Sequence, residues 1–251
     1  MTTLAIIGGT GLAALETLKL VRREVVQTPY GEPSGPLTYG LLHGASVVFL
    51  PRHGRAHTIP PHRVNYRANL WALQHIGVRH VLAVAAVGGI RADMAPGQLA
   101  IPDQIVDYTY GRDQTFFEGD LDQVTHIDFT HPYCGVLRQA LIDAGDRAGV
   151  APRHDGTYAA TQGPRLETAA EIDRLERDGC HLVGMTGMPE AALARELGLC
   201  YAACAVVANW AAGRGPGLIS MEQIDANLRS GMERVRALLH EVVQLDLEHA
   251  H

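Results

Sequence analysis

The chain has 251 residues, 47% of them hydrophobic and 19% charged, which is typical of a single folded domain spanning residues 1–251. The net charge of −6 and the lack of any Lys/Arg run argue against nucleic-acid binding, and no stretch approaches the ~20 apolar residues of a membrane helix. Four cysteines with no CxxC pair, and no secretory signal before them, indicate reduced thiols and a cytoplasmic protein.

Short apolar runs alternate with amphipathic stretches, and this alternation predicts an α/β fold with a largely parallel or mixed sheet covered by helices. The predicted strands are Leu4–Ile7, Ser46–Leu50, His80–Ala86, Gln98–Ile101, Thr157–Thr161 and Leu199–Ala208. The predicted helices are Val64–Ile76, Gly135–Ala148, Glu167–Asp178, Glu190–Leu197 and Met221–Leu247.

The first strand runs into Gly8-Gly9-Thr10-Gly11. A glycine turn lets backbone N–H groups approach an anion closely, and Thr10 adds a hydroxyl donor. The same glycines with Ala14 also fit the dinucleotide pattern G-x-G-x-x-A, which suggests an oxidoreductase as an alternative. That pattern expects an acidic residue about 20 positions on, at the end of a second strand, but the strand-like stretch Glu24–Thr28 does not end in one. A purely structural turn is the third interpretation.

Two Arg and two His follow the second predicted strand, in the segment Pro51–His57. Arg52 and His53 offer donors for a phosphate, although such a cluster is also typical of a solvated turn. No carboxylate or cysteine stands nearby to complete a metal site, so we expect no metal.

Two further strand ends suggest room for a ligand. The strand His80–Ala86 runs into small residues, which leave space beside the backbone where open α/β sheets bind ligands, or else accommodate a closely packed helix. Thr186 stands just before Pro189 and a predicted helix. Its hydroxyl and N–H suit either a phosphate clamp or an ordinary helix cap.

Together these segments resemble the methylthioadenosine phosphorylases, which belong to the trimeric purine nucleoside phosphorylases. The resemblance implies a three-layer α/β/α sandwich around a mixed, partly barrel-like sheet, a homotrimer, nucleoside and phosphate as substrates, and no cofactor. It rests on ordered motifs at Gly8–Gly11, Arg52–His57, Val64–Asn69, Gly163–Arg165 and Met185–Glu190.

The resemblance also implies the site residues. Met185 would contact the ribose, and His57 would reach the phosphate. The family carries Thr or Asn where this chain has Ala85, so one phosphate donor is missing, and a non-catalytic nucleoside-binding protein is an alternative. The implied phosphate ligands are Thr10, Arg52, His53, the backbone near Ala85 and Ala86, and Thr186.

The base end departs from the methylthioadenosine enzymes, which carry Asp-x-Asp where this chain has Asn209 and Ala211. An Asn side chain donates and accepts, which suits O6 and a protonated N7 of a 6-oxopurine. Glu167 matches inosine-cleaving members, and its carboxylate accepts from N1–H, which adenine lacks; a first-turn helix acid is the alternative. Leu166 replaces an aromatic residue that stacks on the base.

The 5′ end is predicted to be apolar. Met221 stands where inosine-cleaving members place a His, and Ile224 follows one helical turn later, so a methylthio group fits better than a hydroxyl. His126 resembles a residue that a neighbouring subunit contributes to this end. The predicted reaction is phosphorolysis of methylthioinosine, with inversion at C1′, without a metal or a covalent intermediate. Methylthioadenosine and inosine or guanosine are the alternative substrates.

Overall fold

The computed structural model describes residues 4–9, 12, 17–119, 123–245 and 247. Within this part of the chain, ten strands form one mixed sheet with helices on both faces, which confirms the predicted α/β architecture. The strands are β1 (Leu4–Gly8), β2 (Lys19–Glu24), β3 (Leu37–Leu42), β4 (Ala45–Pro51), β5 (His80–Gly89), β6 (Leu99–Ala100), β7 (Gln104–Asp107), β8 (Thr157–Ala160), β9 (Leu182–Gly184) and β10 (Cys200–Trp210). The helices are α1 (Tyr66–His75), α2 (Gly135–Arg147), α3 (Ala169–Arg177), α4 (Gly187–Glu196) and α5 (Met221–Val242).

Strand β1 shows why the sheet is covered on both faces. All its residues are buried, and successive side chains point to opposite faces. Ala5 and Ile7 pack in the hydrophobic cluster that α1 and α4 complete. Leu4 and Ile6 pack in a second cluster with α2 and α5. An uninterrupted apolar run therefore becomes a strand buried between two helical layers.

The centre of the sheet is parallel, with β1 lying between β4 and β5, and β10 pairing with β5 on its other edge. The strand order is β2-β3-β4-β1-β5-β9-β8-β7; β10 branches from β5, and β6 pairs with β10. The terminal strands β2 and β7 do not pair with each other, so the described sheet is open.

Four observed strands were not predicted from the sequence: β2, β3, β7 and β9. Strand β2 is exposed along nearly its whole length and β9 has three residues, so neither has a clear apolar signature. The strand-like stretch Glu24–Thr28 is mostly loop. Because β2 pairs antiparallel with β3 and not with β1, it is not the parallel second strand that a dinucleotide fold requires.

The expectation that all four thiols are reduced is wrong for one pair. Cys134, just before α2, forms a disulfide with Cys200 at the start of β10, 66 residues away. Nothing in the sequence spacing indicates that these segments meet. Cys180 and Cys204 are free and buried, and burial raises the pKa of the Cys204 thiol to about 12, as expected of a core residue. None of the described helices is long and apolar enough to cross a membrane.

Candidate active site

A mainly apolar cleft opens where the sheet divides along one edge of β5. On that edge β1 pairs with β5 only as far as Ala83, and β9 pairs with it only from Gly88. The intervening residues of β5 line a cavity of about 370 Å³, a volume suited to a small ligand. The division of the sheet therefore creates the cavity at the carboxyl end of β1.

The backbone of Ala86 faces this gap. The carbonyl of Val84 points to the β1 side, where it accepts from Arg52 Nη1 at 3.0 Å. Because backbone groups alternate along a strand, the N–H of Ala86 points to the same side, while that of Ala85 points to β10. Ala85 and Ala86 both line the cavity, and neither side chain offers a hydrogen bond. The donor available at this position is a backbone N–H.

Gly9 allows the end of β1 to lie against this edge. A Cβ at Gly9 would come within 2.7 Å of the Val84 carbonyl oxygen and 2.8 Å of Arg52 Nη1. Only glycine therefore fits here, and Gly9 itself lines the cavity. Thr10, the next residue and a predicted phosphate ligand, lies outside the described residues.

Arg52 lines the cavity but is held in a buried ion pair. Its Nε and Nη2 donate to the two oxygens of Glu190 at 2.6 and 2.8 Å, and both side chains are 1% exposed. Tyr201 donates its hydroxyl to the same carboxylate at 2.8 Å. Burial lowers the pKa of Arg52, but the Glu190 carboxylate outweighs this and raises it above its ordinary value. Two of the five guanidinium N–H donors remain for a ligand.

His53 is neutral and presents a lone pair. Burial and the charge of Arg52 lower its pKa to about 4. Its Nδ1 lies 2.8 Å from the carbonyl oxygen of Ile59, which can only accept, so Nδ1 carries the proton and Nε2 is the acceptor. His57 also lines the cavity, with its ring centroid 4.8 Å from that of His53. The predicted donor His53 thus carries an acceptor at Nε2.

Thr186 occupies the cap position of α4, yet its hydroxyl makes no capping hydrogen bond. Its N–H lies 3.4 Å from the hydroxyl oxygen of Tyr158. Thr186 and Met185 both line the cavity. Of the two interpretations of Thr186, an ordinary side-chain cap does not fit. The side chain is instead close to the Tyr158 hydroxyl, with which it shares a hydrogen bond at the cavity wall.

Glu167 and Asn209 line the same cavity. Glu167 precedes α3 and is not part of its first turn, because Thr168 caps that helix in a capping box with Glu171. Glu167 Oε1 accepts from the Thr161 hydroxyl at 2.7 Å, which leaves Oε2 for another donor. Asn209 donates from Nδ2 to the Trp210 carbonyl at 2.7 Å and keeps its second N–H and its oxygen. Ala211 and Leu166 complete this end of the cavity.

Another part of the cavity lining is apolar. Ile224 lies on the inner face of α5, and Leu228, one turn later, lines the cavity with it. Ile219, just before the helix, also contributes. Leu228 and Ile219 were missed in the sequence, although the i, i+4 spacing from Ile224 predicts Leu228. Met221 was predicted here but is 67% exposed and does not line the cavity.

Two further expectations concern His126 and a metal. His126 is exposed and does not line the cavity of its own chain. Within the residues that the structure describes, no group of three or more His, Cys, Asp or Glu side chains is placed to hold a metal ion.

Residues 3–244 match the model of the Phosphorylase superfamily. A protein of Pseudomonas syringae pv. tomato named probable S-methyl-5′-thioinosine phosphorylase is 55% identical over 97% of this chain and 99% of its own length. The 6-oxopurine nucleoside phosphorylase of Pyrococcus furiosus is 44% identical, over 95% and 91% respectively. The methylthioadenosine phosphorylase of Schistosoma mansoni in complex with adenine has a TM-score of 0.93 and 33% identity, over 97% and 91% of the two chains.

Proposed function

Since this chain belongs to the Phosphorylase superfamily, we propose that it is a purine nucleoside phosphorylase that cleaves S-methyl-5′-thioinosine with phosphate. The products are hypoxanthine and 5-methylthioribose 1-phosphate, returned to purine salvage. The observation that carries the proposal is that Glu167 and Asn209, the two groups that suit a 6-oxopurine, line one cavity with the phosphate-binding candidates Arg52, His53 and Thr186. The similar proteins named for methylthioinosine support it.

The base assignment rests on hydrogen-bond direction. Oε2 of Glu167 accepts from N1–H, a donor that hypoxanthine has and adenine lacks. Asn209 donates to O6 and accepts from protonated N7 after its amide turns from the Trp210 carbonyl. A site built on such a hydrogen bond rejects the analogue that lacks it by about 10⁴-fold or more.

The 5′ assignment rests on the apolar end of the cavity. Ile219, Ile224 and Leu228 offer no partner for a hydroxyl, and an unpartnered buried hydroxyl costs about 1–3 kcal/mol. A methylthio group loses nothing there and gains apolar contact. This argues against inosine, the substrate class suggested by the 6-oxopurine phosphorylases among the similar proteins.

The proposed mechanism is electrostatic. As the glycosidic bond breaks, positive charge grows on the ribose, and a phosphate held beneath it stabilises that charge and then attacks C1′. The free N–H groups of Arg52, the Ala86 backbone N–H and the Thr186 hydroxyl hold the phosphate, with Thr10 added from the turn. Nε2 of His53 accepts from a protonated phosphate oxygen. Asn209 stabilises the leaving base, and no metal or cofactor takes part.

The proposal includes a homotrimer. The cytoplasmic location stays a prediction, since the reduced thiols on which it was based are not found for Cys134 and Cys200. Leu166, which lines the cavity, is 43% exposed, and Leu218 and Met221, which flank the lining residue Ile219 in sequence, are 93% and 67% exposed. A neighbouring subunit would cover them and bring its own His126 to the 5′ end.

The reaction type is tested by incubating the protein with methylthioinosine, with and without inorganic phosphate, and identifying both products. We expect hypoxanthine and a sugar 1-phosphate, only when phosphate is present. Base release at the same rate without phosphate would make the protein a hydrolase, and binding without turnover would make it a non-catalytic nucleoside-binding protein.

A further inference from the structure

Arg112 joins two segments of the site without lining the cavity itself. Its Nη1 donates to the carbonyls of Met185 and Met188 at 2.8 and 2.6 Å. Its Nη2 donates to the carbonyls of Thr161 and Gln162 at 3.2 and 2.8 Å. One half-buried guanidinium therefore contacts four backbone oxygens from two separate parts of the chain.

Each segment carries a different part of the substrate contacts. The segment that begins at Met185 includes Thr186, so it carries the ribose and phosphate contacts of the proposed function. The other segment carries the base contact, because the Thr161 hydroxyl donates to Glu167 Oε1 at 2.7 Å. The two segments also meet directly, where the N–H of Thr161 donates to the Gly184 carbonyl at 2.8 Å. Arg112 adds a second connection between them, on the side of Met185 and Met188.

The guanidinium is itself held in one orientation. Its Nε donates to Gln162 Oε1 at 3.1 Å, and Nη1 lies 3.4 Å from the Tyr66 hydroxyl. Its carbon lies 5.7 Å from the centre of the Tyr66 ring. The five N–H donors of the planar guanidinium match the five acceptors at 2.6–3.2 Å, which are the four backbone carbonyls and Gln162 Oε1. A lysine ammonium has three donors on a flexible stem and cannot match them.

We propose that Arg112 is a positioning residue for the phosphorolysis proposed above, on which this inference rests. It fixes the distance between Glu167, which holds the base, and Thr186, which holds the phosphate. Attack on C1′ requires base and phosphate to lie on opposite sides of the ribose at a set separation, and a displacement of about 1 Å costs about 100-fold in rate.

The test compares Arg112→Lys with Arg138→Lys, a matched substitution away from the cavity. Arg138 also joins two segments through backbone carbonyls, donating to Pro102 at 2.9 Å and His154 at 2.7 Å. Both variants keep the positive charge and lose the planar guanidinium group. The measurements are kcat at saturating methylthioinosine and phosphate, and Tm.

We expect both variants to lose a similar amount of Tm, Arg112→Lys to lose about 100-fold in kcat, and Arg138→Lys to stay within about threefold of wild type. A purely structural role would lower Tm alone. Arg112→Lys with kcat within about threefold of wild type overturns the inference, as does an equal loss of kcat in Arg138→Lys.

If Arg112→Lys does not fold, Gln162→Leu decides the question, because it leaves Arg112 in place and removes the oxygen that accepts from its Nε and from the Tyr110 N–H. We expect kcat to fall about 3–10-fold with Tm nearly unchanged, and unchanged kcat overturns the inference. If wild-type protein releases no base from any nucleoside, the proposed function fails and this inference fails with it. If wild type is active and Arg112→Lys is equally active, only the positioning role fails.

Discussion

In the proposed site, Glu167 is the side chain that distinguishes a 6-oxopurine from adenine, because only the former presents N1–H to it. In Glu167→Gln the carbonyl still accepts but the charge is lost, and a hydrogen bond to a charged group contributes about 1.5–3 kcal/mol. We therefore expect kcat/KM for methylthioinosine to fall about 30-fold, and that for methylthioadenosine to change less than about threefold. Glu176→Gln, on the exposed side of α3, is the control. An equal loss with both nucleosides would mean that Glu167 does not recognise the base.

His53 makes stability depend on pH. Its folded pKa of about 4 lies below the ordinary value of about 6.5, so the unfolded chain binds the proton more readily. Its contribution is fully present above about pH 6.5 and is lost as the pH falls toward 4. We expect the Tm of wild type to fall more steeply over this range than the Tm of His53→Gln. The change in Tm is calculated for each protein relative to its own Tm at pH 7.5. Parallel curves of Tm against pH for the two proteins would contradict the lowered pKa assigned to His53.

The residues found only in the structure act through contacts between distant segments. Arg52 was predicted from its loop, but its partner Glu190 lies 138 residues away. That partner explains why Arg52, predicted as a phosphate donor, is also held in a buried ion pair. Arg112 carried no motif signal, since its role depends on backbone carbonyls that any residue supplies. The sequence shows which side chains can donate, accept or carry a charge. It does not show which of them contact each other in the fold.

The strands that were predicted most accurately are those with the strongest apolar patterns. Strands β1, β4, β5 and β10 are nearly continuous apolar runs and were located within a few residues. The missed strands are short or exposed, and their place in the sheet comes from neighbouring strands. Because the cavity arises where β1 and β9 leave an edge of β5 unpaired, its shape was not predictable, although its residues largely were.

A substitution in helix α5 tests where the 5′ substituent of the nucleoside binds. Ile224→Ser places a hydroxyl in the apolar end of the cavity, beside the position proposed for the 5′ substituent. We expect the preference for methylthioinosine over inosine, as a ratio of kcat/KM values, to fall about 10-fold or more. Ala226→Ser makes a similar change on the exposed face of the same helix and should leave the ratio unchanged. An unchanged ratio in Ile224→Ser would place the 5′ group elsewhere.

In the proposed trimer, the chains would meet beside the cavity. His126 is far in sequence from the residues of its own cavity and lies at the surface, so a role in binding requires a neighbouring subunit. This is why a single chain accounts for the base and phosphate contacts but leaves exposed apolar side chains around the 5′ end.

Mixing two inactive variants tests this arrangement. In oligomers reassembled from His126→Ala and Asn209→Ala chains, some sites combine an intact cavity with an intact neighbouring His126. We expect activity above the sum of the separate variants. Asn209→Ala mixed with Glu167→Ala is the control, since both substitutions lie in the same cavity and every site keeps a defect. No recovery in the first mixture would mean that His126 serves no neighbouring site.

The most direct test of the central claim is competition in one tube. Equal amounts of methylthioinosine, methylthioadenosine and inosine are given to the wild-type protein with phosphate, and the disappearance of each nucleoside is followed by chromatography. The ratio of initial rates equals the ratio of kcat/KM values. We predict that methylthioinosine disappears about 100-fold faster than either rival, a difference of about 2.7 kcal/mol at the transition state. Faster loss of methylthioadenosine would contradict the roles of Glu167 and Asn209, and equal loss of inosine would contradict the apolar 5′ end.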